Sequence, residues 1–114
     1  MPLRCLIVDD NAAFLHAAAT LLERQGVTVV GVASTAAEAL RRNIELQPDV
    51  VLVDIVLGAE SGFDVARDLT GGAAVILIST HAEADFADLI ERTPAAGFVS
   101  KSELSAEAIR RLTP

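Results

Sequence analysis

Two hydrophobic rhythms alternate along the chain. Short unbroken apolar runs, rich in Val, Ile and Leu, are each followed by a longer stretch in which apolar residues recur at helical spacing. The first pattern is that of a strand covered on both faces, and the second that of a helix with one buried stripe. Strands β1 to β5 are predicted over residues 3–8, 27–33, 50–53, 73–78 and 96–100. Helix α1 is predicted over 11–25, with Phe14, Ala17, Ala18, Leu21 and Leu22 as its apolar positions and Gly26 as its stop. Helix α2 opens at Ser34-Thr35 with Glu38 completing a capping box, buries Ala37, Leu40 and Ile44, and ends before Pro48. Helix α3 spans 63–69 with Phe63, Ala66 and Leu69 inward; α4 spans 82–92 with Phe86, Leu89 and Ile90 inward; α5 starts from Ser102 or Ser105 and carries Leu104, Ile109 and Leu112.

Strand and helix thus alternate five times. This order implies an α/β fold, doubly wound, with a five-stranded parallel sheet, helices on both faces and right-handed crossovers. All C-terminal strand ends then lie along one edge, where the helices diverge and open sheets bind their ligands.

Composition narrows the function without changing the fold. A length of 114 residues suits one domain over 1–114, with no second module. Net charge is −7, and the nine basic residues are scattered instead of forming a stripe, which argues against direct nucleic-acid binding. With four Phe and no Trp or Tyr, stacking platforms for single strands are also scarce. The single Cys5 lies in an apolar run and reads as a small buried hydrophobe in a reducing compartment. No segment reads as a signal peptide or membrane span, so a soluble cytoplasmic protein is expected.

The candidate chemistry sits at the strand ends. Asp9 and Asp10 follow β1, Asp54 ends β3, Ser79 follows β4 and Lys101 follows β5. Three like charges gathered at one edge cannot all stay ionised unless a cation joins them. A hard divalent ion with oxygen ligands answers that need, and a site of few carboxylates and several waters suits Mg²⁺. Open coordination positions would draw a phosphoryl group, with Lys101 as a point charge on one oxygen and Ser79 as a donor to another. Asp54 stands alone on the central strand and is the candidate nucleophile for an acyl phosphate. Eight basic residues are Arg and Lys101 is the one lysine, placed where a compact charge serves better than a planar fork. By contrast, His81 and His16 read as solvent-facing, and the acidic stripe of α4 as a solvated face.

These features together resemble the receiver domain of two-component response regulators: Asp9-Asp10 after β1, Val-Leu-Val-Asp54 with Gly62 eight residues on, Ile-Leu-Ile-Ser79, and Gly97-Phe98-Val99-Ser100-Lys101. The resemblance spans essentially the whole chain. It implies a CheY-like, flavodoxin-like sheet order of 2-1-3-4-5 and a signalling switch without an output domain in this chain. Asp54 would accept a phosphoryl group from a histidine kinase or histidine phosphotransfer protein. Mg²⁺ would be held by Asp9, Asp54 and the backbone carbonyl of Val56, with Asp10 acting through water. Ser79 and Phe98 would form the switch pair, and the α4–β5–α5 surface would meet a downstream protein or a second copy, with Glu83, Asp88, Arg110 and Arg111 as contact candidates. The chain departs from the family pattern at Gly58, where proline is usual and a more mobile loop is expected, at Ser102 for proline, at Thr80 for a smaller residue, and at Val56, which cannot hold a water by its side chain. Slow hydrolysis of the phosphorylated form is the expectation from these departures. An aspartyl-phosphate phosphatase would need a second acid where Val56 stands, a flavin site would be repelled by Asp9-Asp10, and a partner-binding pseudo-receiver would not need the intact set.

Overall fold

A strand apolar on both sides leaves neither face fit for water, so helices must cover both. The computed structural model describes residues 2–80 and 83–113, and not the side chains of residues 83 and 84. Five parallel strands run in the order 2-1-3-4-5: β1 Arg4–Val8, β2 Thr28–Ala33, β3 Val50–Asp54, β4 Ala74–Ser79 and β5 Gly97–Ser100. The helices are α1 Ala12–Arg24, α2 Ala36–Leu46, α3 Gly62–Asp68, α4 Ala87–Arg92 and α5 Ala106–Leu112. Alternate residues of the central strands serve opposite faces. Cys5, Ile7, Val50, Leu52, Ile76 and Ile78 pack with Leu15, Leu22 and Ile109 beneath α1 and α5. Leu6, Val8, Val51, Val53, Val75 and Leu77 pack with Ala39, Phe63 and Val65 beneath α2 and α3, and Phe86, Ile90 and Phe98 join that cluster at its margin.

The expected strands and fold class are present, but three helices sit differently from their predicted stripes. In α1 the buried residues are Leu15, Ala18 and Leu22, while Ala17 and Leu21 are exposed. An Ala-rich helix offers more than one apolar stripe, and the sheet takes the one that carries two leucines in register. In α2, Ala37 is exposed and Ile44 is 68% exposed; Ala39 and Asn43 are buried instead. The C-terminal end of α2 sets this rotation. The Arg4 guanidinium donates to the carbonyls of Leu46 and Gln47, both at 2.7 Å, and the Asn43 amide donates to the Thr70 carbonyl at 2.6 Å. Polar clamps thus override the apolar stripe.

The predicted α4 begins as a 3₁₀ turn, Glu83–Phe86, before the six-residue helix. No side chain caps it, Leu89 is 47% exposed, and no residue of the helix is fully buried. His81 and the side chain of Glu83 lie outside the described residues. Ser105, not Ser102, caps α5, accepting from the Ala108 N–H at 3.0 Å; a 3₁₀ turn, Lys101–Glu103, precedes it.

The turn after β3 is a small antiparallel hairpin, Val56–Leu57 against Glu60–Ser61. Gly58, the first of its two loop residues, has φ of 59°, the pattern of a type II′ turn that proline cannot adopt. The departure from proline therefore comes with a paired hairpin. The hairpin is also tied down, because Glu60 Oε1 accepts from the Ala36 N–H at the start of α2 at 2.9 Å.

Candidate functional site

Register brings the candidate residues to one edge. Val8 pairs with Val53, Asp54 with Ile78 and Ser79 with Ser100, so Asp9, Asp54, Ser79 and Lys101 follow one another across neighbouring strand ends. Asp9 is fully buried. Its Oδ1 accepts from the Asn11 N–H at 2.9 Å, and the Asn11 side chain in turn caps α1 by accepting from the Phe14 N–H at 3.1 Å. Asp54 Oδ1 accepts from the Val56 N–H at 3.0 Å, and Oδ2 accepts from Lys101 Nζ at 3.0 Å. The ammonium also forms an ion pair with Asp9 Oδ2 at 2.6 Å. The Lys101 side chain is only 13% exposed.

Charge in this pocket is unbalanced. Carboxylate oxygens of Asp9, Asp10 and Asp54 lie within 4.8 Å of one another, facing one ammonium. Burial raises the Asp54 carboxyl above its usual range; the hydrogen bonds from Lys101 and Val56 oppose this, and the charge of Asp9 adds to it. Burial alone would lower the Lys101 ammonium, but its contacts with Asp9 and Asp54 outweigh that and hold it above its usual value. Asp9 Oδ2 is buried, and Lys101 Nζ is the partner it meets among the described residues. An all-oxygen donor set with three carboxylates to one ammonium fits a hard divalent cation. Asp10, exposed at the rim, completes the cluster.

The other candidates take the places their strands give them. Ser79 is buried at the end of β4, and Phe98 is partly buried on the face shared with Phe86 and Ile90. The Val56 side chain is exposed at the site's mouth, while its backbone N–H holds Asp54. Asp88, Arg110 and Arg111 are exposed, and Arg111 is paired with Glu107 at 2.6 Å. His16 is also exposed.

Two further residues shape the site. Gly62 opens α3 directly against the end of β3: a Cβ there would lie 1.9 Å from the Asp54 carbonyl oxygen and 2.9 Å from Ile55 Cα. Since those neighbours are backbone, only glycine lets α3 approach. The spacing of Gly62 from Asp54 is visible in the sequence, but this close approach is not. The ring of Phe14 lies 4.2 Å from Lys101 Nζ. In the sequence Phe14 is indistinguishable from the other apolar positions of α1, and its one signal is its place three residues past the helix cap, beside the acidic pair.

The pattern of the response regulator receiver domain matches residues 5–113. The chain is 32% identical over 116 residues to the uncharacterized transcriptional regulatory protein YvfU of Bacillus subtilis, covering 96% of this chain and 58% of that protein. It thus spans little more than half of that relative's length. Among solved structures, it is similar to a two-component response regulator of the LuxR family from Aurantimonas sp. SI85-9A1, with a TM-score of 0.85, 31% identity, and coverage of 96% of this chain and 81% of that one. It is also similar to a response regulator protein from Burkholderia pseudomallei solved with a phosphorylated aspartic acid, calcium ion and citrate, with a TM-score of 0.81, 26% identity, and coverage of 97% of this chain and 66% of that one. No helix among the described residues is long and apolar enough to cross a membrane.

Proposed function

Because the chain belongs to the response regulator receiver domain family, we propose that it is the phosphoryl-accepting switch of a two-component relay, with Asp54 as the acceptor. The observation that carries this reading is the shared ammonium: Lys101 Nζ stands 3.0 Å from Asp54 Oδ2 and 2.6 Å from Asp9 Oδ2, within a cluster of three carboxylates. The similar protein from Burkholderia pseudomallei, which carries a phosphorylated aspartic acid and a calcium ion, supports it.

A carboxylate oxygen of Asp54 would attack the phosphorus of a phosphohistidine on a histidine kinase or phosphotransfer protein. The O–P bond forms as the N–P bond breaks, and the imidazole leaves with its electron pair. Mg²⁺, held by Asp9, Asp54, the Val56 carbonyl and, through water, Asp10, would neutralise these carboxylates and draw the phosphoryl oxygens. Lys101 places its ammonium on one of those oxygens, and the Ser79 hydroxyl donates to another. Val56 holds Asp54 Oδ1 through its N–H and offers no side-chain base to activate water, so the acyl phosphate hydrolyses slowly and no outside substrate is turned over.

Residues 1–114 then act as one receiver unit. The new charge draws Ser79 and Phe98 toward it and biases the α4–β5–α5 surface, where a downstream protein, an output domain or a second copy engages. A net charge of −7 on this chain argues against direct nucleic-acid binding. The cytoplasm is the compartment where a histidine kinase would reach it. Intact-mass measurement after incubation with acetyl phosphate and Mg²⁺ tests the reading. The native chain gains one phosphoryl group and Asp54→Ala gains none; no gain in the native chain, or an equal gain in the variant, refutes it.

A further inference from the structure

The Phe14 ring lies 4.2 Å from the charge that the proposed reaction depends on, and nothing in that reaction yet uses it. Four contacts close a circuit around the pocket. Asp9 Oδ1 accepts from the Asn11 N–H, Asn11 Oδ1 accepts from the Phe14 N–H, the Phe14 ring faces Lys101 Nζ, and Lys101 Nζ returns to Asp9 Oδ2. Asn11 thus ties the backbone of Phe14 to Asp9, which starts α1 at a fixed place beside the carboxylates and brings the ring to Lys101. Phe14 is only partly buried; its contacts are divided between the core beneath α1 and the ammonium.

The ring matters because of what the lysine would otherwise do. A lysine side chain has several free rotations and a strongly hydrated head, so water competes for the ammonium. The π face attracts it and covers one side from water. Its partners on the other side, Asp9 Oδ2 and Asp54 Oδ2, belong to carboxylates that would hold a divalent cation. With those carboxylates engaged by a cation, the aromatic face would still hold Lys101 beside Asp54.

We infer that Phe14 is a positioning residue: by a cation–π contact it keeps the ammonium of Lys101 within reach of Asp54, so that it meets the phosphoryl group without first being recovered from solvent. This inference rests on the phosphoryl-acceptor reading for its consequence, but not for the contact itself.

The test uses the fact that Lys101 is the one lysine in the sequence, so the full chain labelled with ¹⁵N,¹³C-lysine gives a single side-chain signal set. In the native chain with Mg²⁺, the Lys101 ε-methylene protons are expected to be shifted upfield by the ring and to show Overhauser contacts with Phe14. Absence of both overturns the inference without any variant. In Phe14→Leu, which keeps apolar bulk, the ammonium exchanges faster with water and phosphorylation by acetyl phosphate slows about fivefold, the change that a contact of about 1 kcal/mol represents. Phe14→Tyr, which keeps a π face, restores both. A leucine variant with native exchange and native or faster labelling overturns the inference, as does a tyrosine variant as impaired as the leucine one. If the native chain takes up no phosphoryl group at all, the proposed function falls and the lysine signal alone decides the role of Phe14.

Discussion

Helices α1 and α4 belong to opposite faces of one sheet and are held in opposite ways. Helix α1 has 13 residues, an Asn11 cap and three buried side chains, Leu15, Ala18 and Leu22. Helix α4 has six residues, no side-chain cap and no fully buried residue. The helix that opens from the acidic pair is capped by Asn11, whose own N–H holds Asp9, whereas the helix nearer Phe98 rests on partly buried Phe86 and Ile90. The contrast separates two demands. Carboxylates that must meet a cation and a phosphoryl group need fixed positions, while a segment that is to change its packing needs little packing to lose.

The contrast is broken most severely at the site itself. Gly62→Ala sets a Cβ against the backbone of Asp54 and Ile55, and is expected to cost about 3 kcal/mol or more in urea unfolding and to abolish phosphorylation. Next comes the anchored helix: Leu22→Ala, at a position with no exposure, is expected to cost about 3 kcal/mol in the same assay.

A smaller effect reports on the sealed core beneath α1. Burial pushes the Cys5 thiol up from 9.0 to about 12. The unfolded chain therefore loses its thiol proton first as pH rises, so the stability this group contributes is complete below pH 9.0 and is lost on the way to about 12. By about pH 10 the loss should be about 1 kcal/mol. Lys101, also raised, destabilises in the alkaline range as well. Comparing unfolding curves of native protein and Cys5→Ala isolates the thiol's part, and the variant should show the shallower slope. The smallest effect is predicted on α4, where Leu89→Ala, at 47% exposure, should change stability by less than about 0.5 kcal/mol. A loss at Leu89 as large as that at Leu22 would erase the contrast.

The sheet and the site edge were legible because each strand is an unbroken apolar run ended by a polar residue, and parallel topology does the gathering. Asp9, Asp10, Asp54, Ser79 and Lys101 could be read from order alone. The helix faces were harder. Ile44 looks like a core residue by its spacing, yet Arg4 and Asn43, which bond to carbonyls distant in sequence, set the rotation of α2 and leave it outside. The hairpin at Gly58 depends on a positive φ that no spacing reports. Phe14 was visible only as one more apolar residue of a helix, because its meeting with Lys101 joins positions far apart in the chain.

Borohydride converts an aspartyl phosphate to homoserine, and peptide mass spectrometry then reads which aspartate carried it. After treatment of the native chain with acetyl phosphate and Mg²⁺, conversion is expected at Asp54 and not at Asp9 or Asp10. Conversion at either member of the acidic pair, or none at Asp54, would contradict the assignment of Asp54 as the acceptor.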